Sequence, residues 1–184
     1  MSSINTPKDL LIEELKDLYS AEMQLTKALP RLAKAAQNEE LKTAFETHLE
    51  ETKEHAARIE RLMKTLGESP KGKKCKAMEG LIEEGKEVLE EDAEGGLKDM
   101  ALIVAAQKVE HYEIAGYGGA RTLAEIAGEK EIAETLQETL DEEGKTDKLL
   151  TEIAMGLDLE ESSESEEESE ESEEPASSSR SRRG

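Results

Sequence analysis

The chain has 184 residues and a formal net charge of −21 at pH 7, with 38% charged residues, 2% aromatics and no Trp. So large an excess of acid excludes a nucleic-acid partner, whose phosphates need clustered Lys and Arg, and disfavours anionic membrane surfaces. The scarcity of aromatic and β-branched runs excludes a sheet and suits long helices with aliphatic, alanine-rich seams.

The first predicted helix has a clear start, with Thr6 able to cap, Pro7 suited to the first helical position and Asp9 favoured at the positive helix end. Its seam runs Leu11, Leu15, Leu18, Glu22, Leu25, Leu29, Leu32 and Ala36, and Pro30 inside it predicts a kink or local widening. A second helix is predicted from about Glu39 to Leu66, with Gly67 as its stop and Leu41, Phe45, Ile59, Leu62 and Leu66 in its seam. A basic loop, "SPKGKKCK", and a shorter amphipathic helix, "AMEGLIEEGKEVLEE", follow before "DAEGG" breaks the chain. Helices from about Leu97 to Ala127 and from about Lys130 to Ala154 complete a domain predicted over residues 1–157. Beyond it lie eleven acidic residues, three Arg and nine Ser, with only Leu159 and Ala176 apolar. Such a segment cannot bury a core, so residues 158–184 are expected to be a disordered acidic tail. The tail carries −8 of the −21, which leaves −13 on the helical domain.

The single cysteine, Cys75, forms no internal disulfide, and the N-terminal "MSSINTPKDL" has no apolar run of a secretion signal. A cytoplasmic protein that does not enter membranes is expected.

Shifting the sequence by 91 residues aligns its halves without a gap. The first seam maps onto Leu102, Ala106, Val109, Glu113, Gly116, Ala120, Leu123 and Ala127, so the one polar position pairs Glu22 with Glu113. The second helix maps likewise, and "LEET" over "LDEE" pairs Glu51 with Glu142. Each half is then a helical hairpin with one carboxylate per helix, and two such hairpins joined by a crossover make a four-helix bundle. An isolated Glu in a seam commonly snorkels to solvent, whereas two at equivalent positions of a repeat point to a site. Four unpaired carboxylates in a core would each cost several kcal/mol, about 2–7 for a polar group lacking partners, so a multivalent cation is the economical partner. Glu110 lies one turn before Glu113, and His48 one turn before Glu51. The expected ligands are therefore Glu22, Glu51, Glu110, Glu113, Glu142 and His48. Carboxylates with an imidazole suit iron or manganese better than structural zinc. His48 could equally orient a ligand or sit satisfied in the core. His55 shares its face but maps onto Thr146, which favours a structural role. His111 is expected to point away, Tyr19 and Tyr112 to lie near the site, and Cys75 to sit in a loop far from it.

"DLYSAEMQLTKALPRLAKAA", "HLEET", "CKAMEGLIEEG", "AQKVEHYEIAGYG" and "ETLDEEGKTD" together resemble the YciE/YciF family of ferritin-like bacterial proteins over roughly residues 8 to 155. The resemblance implies a ferritin-like bundle, a cytoplasmic homodimer, an association with stress responses and a di-metal centre. "EHYE" looks like the Glu-x-x-Glu of rubrerythrin-type di-iron bundles, and Glu22 like their lone first-helix ligand. Glu-x-x-His is absent at the other two helices, since Glu54 follows Glu51 and Lys145 follows Glu142, and His48 on the preceding turn is the available substitute. The expected function is a di-iron or dimanganese protein of stress defence that oxidises Fe(II) with oxygen or peroxide. Manganese catalase-like peroxide dismutation and a non-catalytic interaction bundle are the alternatives.

Overall fold

The computed structural model describes residues 4–93 and 95–159, and apart from its first two residues the expected tail lies outside them. Within them there are five helices and no strand: α1 (Pro7–Ala35), α2 (Glu39–Thr65), α3 (Lys76–Glu90), α4 (Gly95–Ala127) and α5 (Lys130–Met155). Helix starts follow local chemistry. The Thr6 hydroxyl accepts from the Asp9 amide at 3.1 Å while Asp9 accepts from the Thr6 amide at 2.9 Å, closing a capping box. Asn38 caps α2 by accepting from the amides of Glu40 and Leu41. Helix α1 runs as one element through Pro30. Gly67 ends the turn after α2 with φ +74°, a conformation that side chains disfavour.

Helices α1–α2 and α4–α5 are hairpins, and they pack through α1 on α4 and α2 on α5 into an all-α four-helix bundle. The crossover between them contains α3, which lies outside against α1 and α4. The 91-residue repeat superposes almost residue for residue on the elements, since α2 shifted by 91 covers 130–156. Where α1 meets α4 the backbones are close: a Cβ on Gly116 would stand 2.8 Å from Leu18 Cδ2.

The first turn of α4 ties the ends together. Buried Asp99 accepts from the amides of Gln37 and Asn38, both at 2.8 Å, in the α1–α2 turn. Neighbouring Lys98 donates to the carbonyls of Val88, Leu89 and Glu91, which satisfies the free carbonyl end of α3. By the repeat, Asp99 corresponds to Lys8, and Lys8 reaches the α4–α5 turn at Glu129, 2.8 Å away.

The core is divided. One apolar cluster includes Leu25, Leu29, Phe45, Leu102, Ile103 and Leu150, and the other Leu11, Leu15, Ile59, Met63, Tyr117 and Leu136. Between them lies a buried polar layer of Glu22, His48, Thr52, His55, Glu110, Glu113, Thr139, Glu143 and Thr146. Fully burying one Leu is worth about 1.5–3 kcal/mol. The two apolar clusters therefore bear the stability, and the layer between them opposes it.

Candidate metal centre

Each helix of the bundle brings side chains to that layer by its own periodicity. Helix α1 supplies Glu22, α4 supplies Glu110 and Glu113 one turn apart, and α2 supplies His48, Thr52 and His55 at steps of four and three. Helix α5 supplies Thr139, Glu143 and Thr146, the counterparts of His48, Thr52 and His55 under the repeat.

Ligand atoms of His48, Glu110, Glu113 and Glu143 all lie within 4.8 Å of one another, and so do those of Glu22, His55 and Glu143. Glu143 belongs to both groups. His48 Nε2 stands 3.3 Å from Glu110 Oε1 and 3.8 Å from Glu143 Oε2, and His55 Nδ1 stands 3.0 Å from Glu143 Oε1, none of them aligned as a hydrogen bond. The buried atoms without a hydrogen-bond partner in this layer are Glu22 Oε2, His48 Nε2, His55 Nδ1, Glu110 Oε2, both oxygens of Glu113, both of Glu143, and Thr52 Oγ1. Buried polar atoms are paired in nearly all folded proteins, so a knot of orphaned donor and acceptor atoms facing one another asks for a cation.

The outer ends of both imidazoles are held. His55 Nε2 donates to Glu142 Oε2 at 2.9 Å, and His48 Nδ1 lies 3.3 Å from both Glu51 Oε2 and Thr146 Oγ1. Each ring thus turns one nitrogen to a peripheral carboxylate and the other, free, to the buried ones. That is the arrangement by which proteins orient imidazole ligands. Tyr117, fully buried, donates its hydroxyl proton to Glu22.

Burial and the nearby charge of Glu143 raise Glu22 from the ordinary 4.5 to about 8. Burial also pushes Glu110 and Glu113 well above the usual carboxylate range, with Glu143 adding to the first and Glu22 to the second. Burial opposes charge on His55, but the adjacent carboxylates of Glu143 and Glu22 outweigh it and raise the ring to about 9. Without a cation the layer retains protons; a bound cation takes their place.

Of the residues expected from the sequence, the structure brings Glu22, Glu110, Glu113 and His48 into the layer. It does not bring in Glu51 or Glu142. The Glu51 side chain is 39% exposed and that of Glu142 28%, and Glu142 takes a bidentate pair from Arg58, which holds its carboxyl below the usual range. The seam passes one residue further along, through Thr52 and Glu143, a rotation of about 100° around each helix. In that register α2 carries Thr52-x-x-His55 and α5 carries Glu143-x-x-Thr146, so each keeps one donor of a Glu-x-x-His pair. His48 and Glu110 add two more.

His55, expected to be structural, is 1% exposed within the layer, and Tyr117 and Glu143 are residues that sequence reading missed. Tyr19 bonds Glu60 and Tyr112 bonds Asp17, so neither reaches the layer directly. Cys75 is not a free loop residue: it is buried, caps α3, and lies 2.9 Å from the Tyr112 hydroxyl. His111 is 68% exposed beside Asp147.

The family model described as "Domain of unknown function (DUF892)" matches residues 6–162. Protein YciF of Escherichia coli (strain K12) is 50% identical over 154 residues, covering 83% of this chain and 93% of the relative. The crystal structure of the E. coli stress protein YciF has a TM-score of 0.81 and covers 83% of this chain and 97% of that one. YcfI of Rhodopseudomonas palustris is 41% identical, with a TM-score of 0.78 over 81% of this chain and 95% of its own. A ferritin-like, diiron-carboxylate protein of Bacillus anthracis str. Ames is 18% identical with a TM-score of 0.65, covering 82% of this chain and 99% of that one. This last likeness shows the fold alone, which is the ferritin-like bundle expected from the sequence.

Proposed function

The chain belongs to the DUF892 family and is 50% identical to E. coli YciF over 154 residues, and from that premise we propose that it binds a pair of iron or manganese ions in stress defence. The observation that carries this reading is the set of orphaned buried ligand atoms, gathered into two groups that share Glu143. The donors fit such ions: carboxylate oxygens in excess, with two imidazole nitrogens, suit Fe or Mn over soft-metal or closed zinc sites. That one relative is called a stress protein and a fold neighbour a diiron-carboxylate protein supports the reading.

In this reading His48, Glu110, Glu113 and Glu143 hold one ion, and Glu22, His55 and Glu143 the other. Bound there, a pair of Fe(II) ions would supply the electrons for reducing oxygen or peroxide. The chain's residues do the rest. Glu51 and Glu142 fix the imidazole rings, the Tyr117 hydroxyl donates to one oxygen of Glu22 and leaves the other free, and the apolar clusters on either side exclude bulk water. Protons released by the carboxyls and His55 offset the incoming charge. The reading includes a cytoplasmic homodimer, in keeping with the family resemblance and the single cysteine; among the described residues no helix is long and apolar enough to cross a membrane.

Elemental analysis of protein purified without chelator tests this: about two Fe or Mn per chain are expected from a two-ion carboxylate bundle. Near-zero metal after reconstitution overturns the reading. With metal present, oxygen consumption on Fe(II) addition marks Fe(II) oxidation, and oxygen evolution from peroxide marks dismutation instead.

A further inference from the structure

The repeat predicts two equivalent openings between α2 and α5, and the structure treats them differently. At one, Arg58 of α2 crosses to α5 and closes the seam. It donates to both oxygens of Glu142 and to the Thr139 hydroxyl at 3.1 Å, while only 16% of its side chain stays exposed. The counterpart of Arg58 is Leu149, and the counterpart of Glu142 is Glu51. No guanidinium is therefore available to close the second opening. There a groove of about 460 Å³ runs between the helices, bounded among others by Glu40, Thr47, Glu51, Lys145, Thr146 and Leu149.

The groove meets the buried layer at Thr146, and through Glu51 and Thr146 it adjoins the His48 ring. Glu51 Oε2 and Thr146 Oγ1 each lie 3.3 Å from Nδ1 of His48, whose Nε2 is buried, unpartnered and 3.3 Å from Glu110. One imidazole ring separates the groove from the cluster. Its one cation, Lys145, is within ion-pairing distance of neither Glu40 nor Glu51 among the described residues. Glu40 lies on the same stripe of α2 as Thr47 and Glu51, so the groove has one carboxylate at its outer end and one beside His48, with Thr43, Ala44 and Thr47 between them.

We infer that this groove is the portal by which hydrated divalent cations reach the cluster, with Glu40 and Glu51 as the first carboxylates met and the His48 ring as the gate. The inference rests on the metal-binding reading above. A cleft with a carboxylate at its mouth and another at its inner end raises the local cation concentration and steers cations inward, at a rate that falls with salt. The Arg58–Glu142 pair makes the passage one-sided.

The test uses the full chain stripped with chelator and then mixed with Co(II), followed by stopped-flow visible absorbance and by final stoichiometry. Leu149→Arg rebuilds the Arg58 closure opposite Glu51 at a site already 37% exposed, so folding should survive it. It should slow loading by about tenfold or more while the final Co(II) content stays unchanged. Lys145→Glu should speed loading by roughly two- to fivefold at low salt, and the gain should vanish at high salt. Adding Arg58→Leu to Leu149→Arg should restore fast loading through the opposite opening. Unchanged rates in Leu149→Arg and Lys145→Glu would overturn the portal. A native chain that binds no Co(II) at equilibrium would overturn the metal reading instead.

Discussion

Glu113 is fully buried and neither of its oxygens has a hydrogen-bond partner. Its repeat counterpart Glu22 at least receives the Tyr117 hydroxyl. Glu113→Met replaces the carboxyl by an apolar group of similar length in the same apolar-flanked space. An unpaired buried polar group costs about 1–3 kcal/mol by protein mutational scales, and the new apolar burial adds about 1 kcal/mol. The metal-free variant should therefore be about 2–4 kcal/mol more stable than the native chain. For a domain of this size that raises Tm by roughly 5–15 °C. Circular dichroism melts in excess chelator measure it, with Glu113→Gln as the control that keeps a polar group and gains little. In added Mn(II) the order should reverse, because the native chain gains binding free energy and the variant does not. A Glu113→Met chain that melts at or below the native temperature in chelator would refute the premise that this layer opposes the fold.

The remaining predictions concern the same balance. Glu22, raised from 4.5 to about 8, and His55, raised from 6.5 to about 9, both bind protons more tightly folded than unfolded. Each contribution is complete below the unfolded value and lost as pH rises through the folded one, so the metal-free chain should lose Tm steadily from about pH 5 to about pH 9. A flat or rising profile in chelator would contradict the burial of these groups. Glu143→Gln should leave no tightly bound metal because Glu143 serves both groups, whereas Glu22→Gln should retain about one ion in the group that lacks it; two ions in both variants by elemental analysis would sink the shared-ligand reading. Asp99→Ala strands the amides of Gln37 and Asn38 and should cost about 2–4 kcal/mol in urea unfolding, and Asp99→Asn about half of that; an unshifted midpoint would show that water replaces the carboxylate.

The helices could be read almost to the residue because leucines, caps and breakers mark their faces and ends. The repeat revealed the hairpins and the Glu22/Glu113 pair because these two interrupt otherwise apolar seams. The inner faces of α2 and α5 could not be read in the same way. Over their middle turns the buried positions are His48, Thr52, His55, Thr139, Glu143 and Thr146, which have no apolar signal of their own. The phase must be carried across from the flanking Phe45 and Ile59 on α2 and Leu136 and Leu150 on α5. Choosing between Glu142 and Glu143 then depended on whether Leu140 marks the seam, and Leu140 is only partly buried. Cross-helix partners such as Arg58 with Glu142 and Tyr117 with Glu22 are separated by 84 and 95 residues, beyond what local spacing encodes.

The ties at the two turns have a consequence for assembly. Two hairpins with such similar seams could in principle pair like with like between chains, since the same leucines would be buried. Docking first hairpin on first hairpin would present Lys8, a donor, to the Gln37 and Asn38 amides, which need an acceptor. Docking second on second would set Asp99 against Glu129, carboxylate on carboxylate. Only the unlike pairing satisfies both turns, with Asp99 carrying most of the discrimination because the Lys8–Glu129 pair is solvent-exposed. The duplicated bundle thus carries, in opposite charges at equivalent positions, its own rule against mispairing its halves.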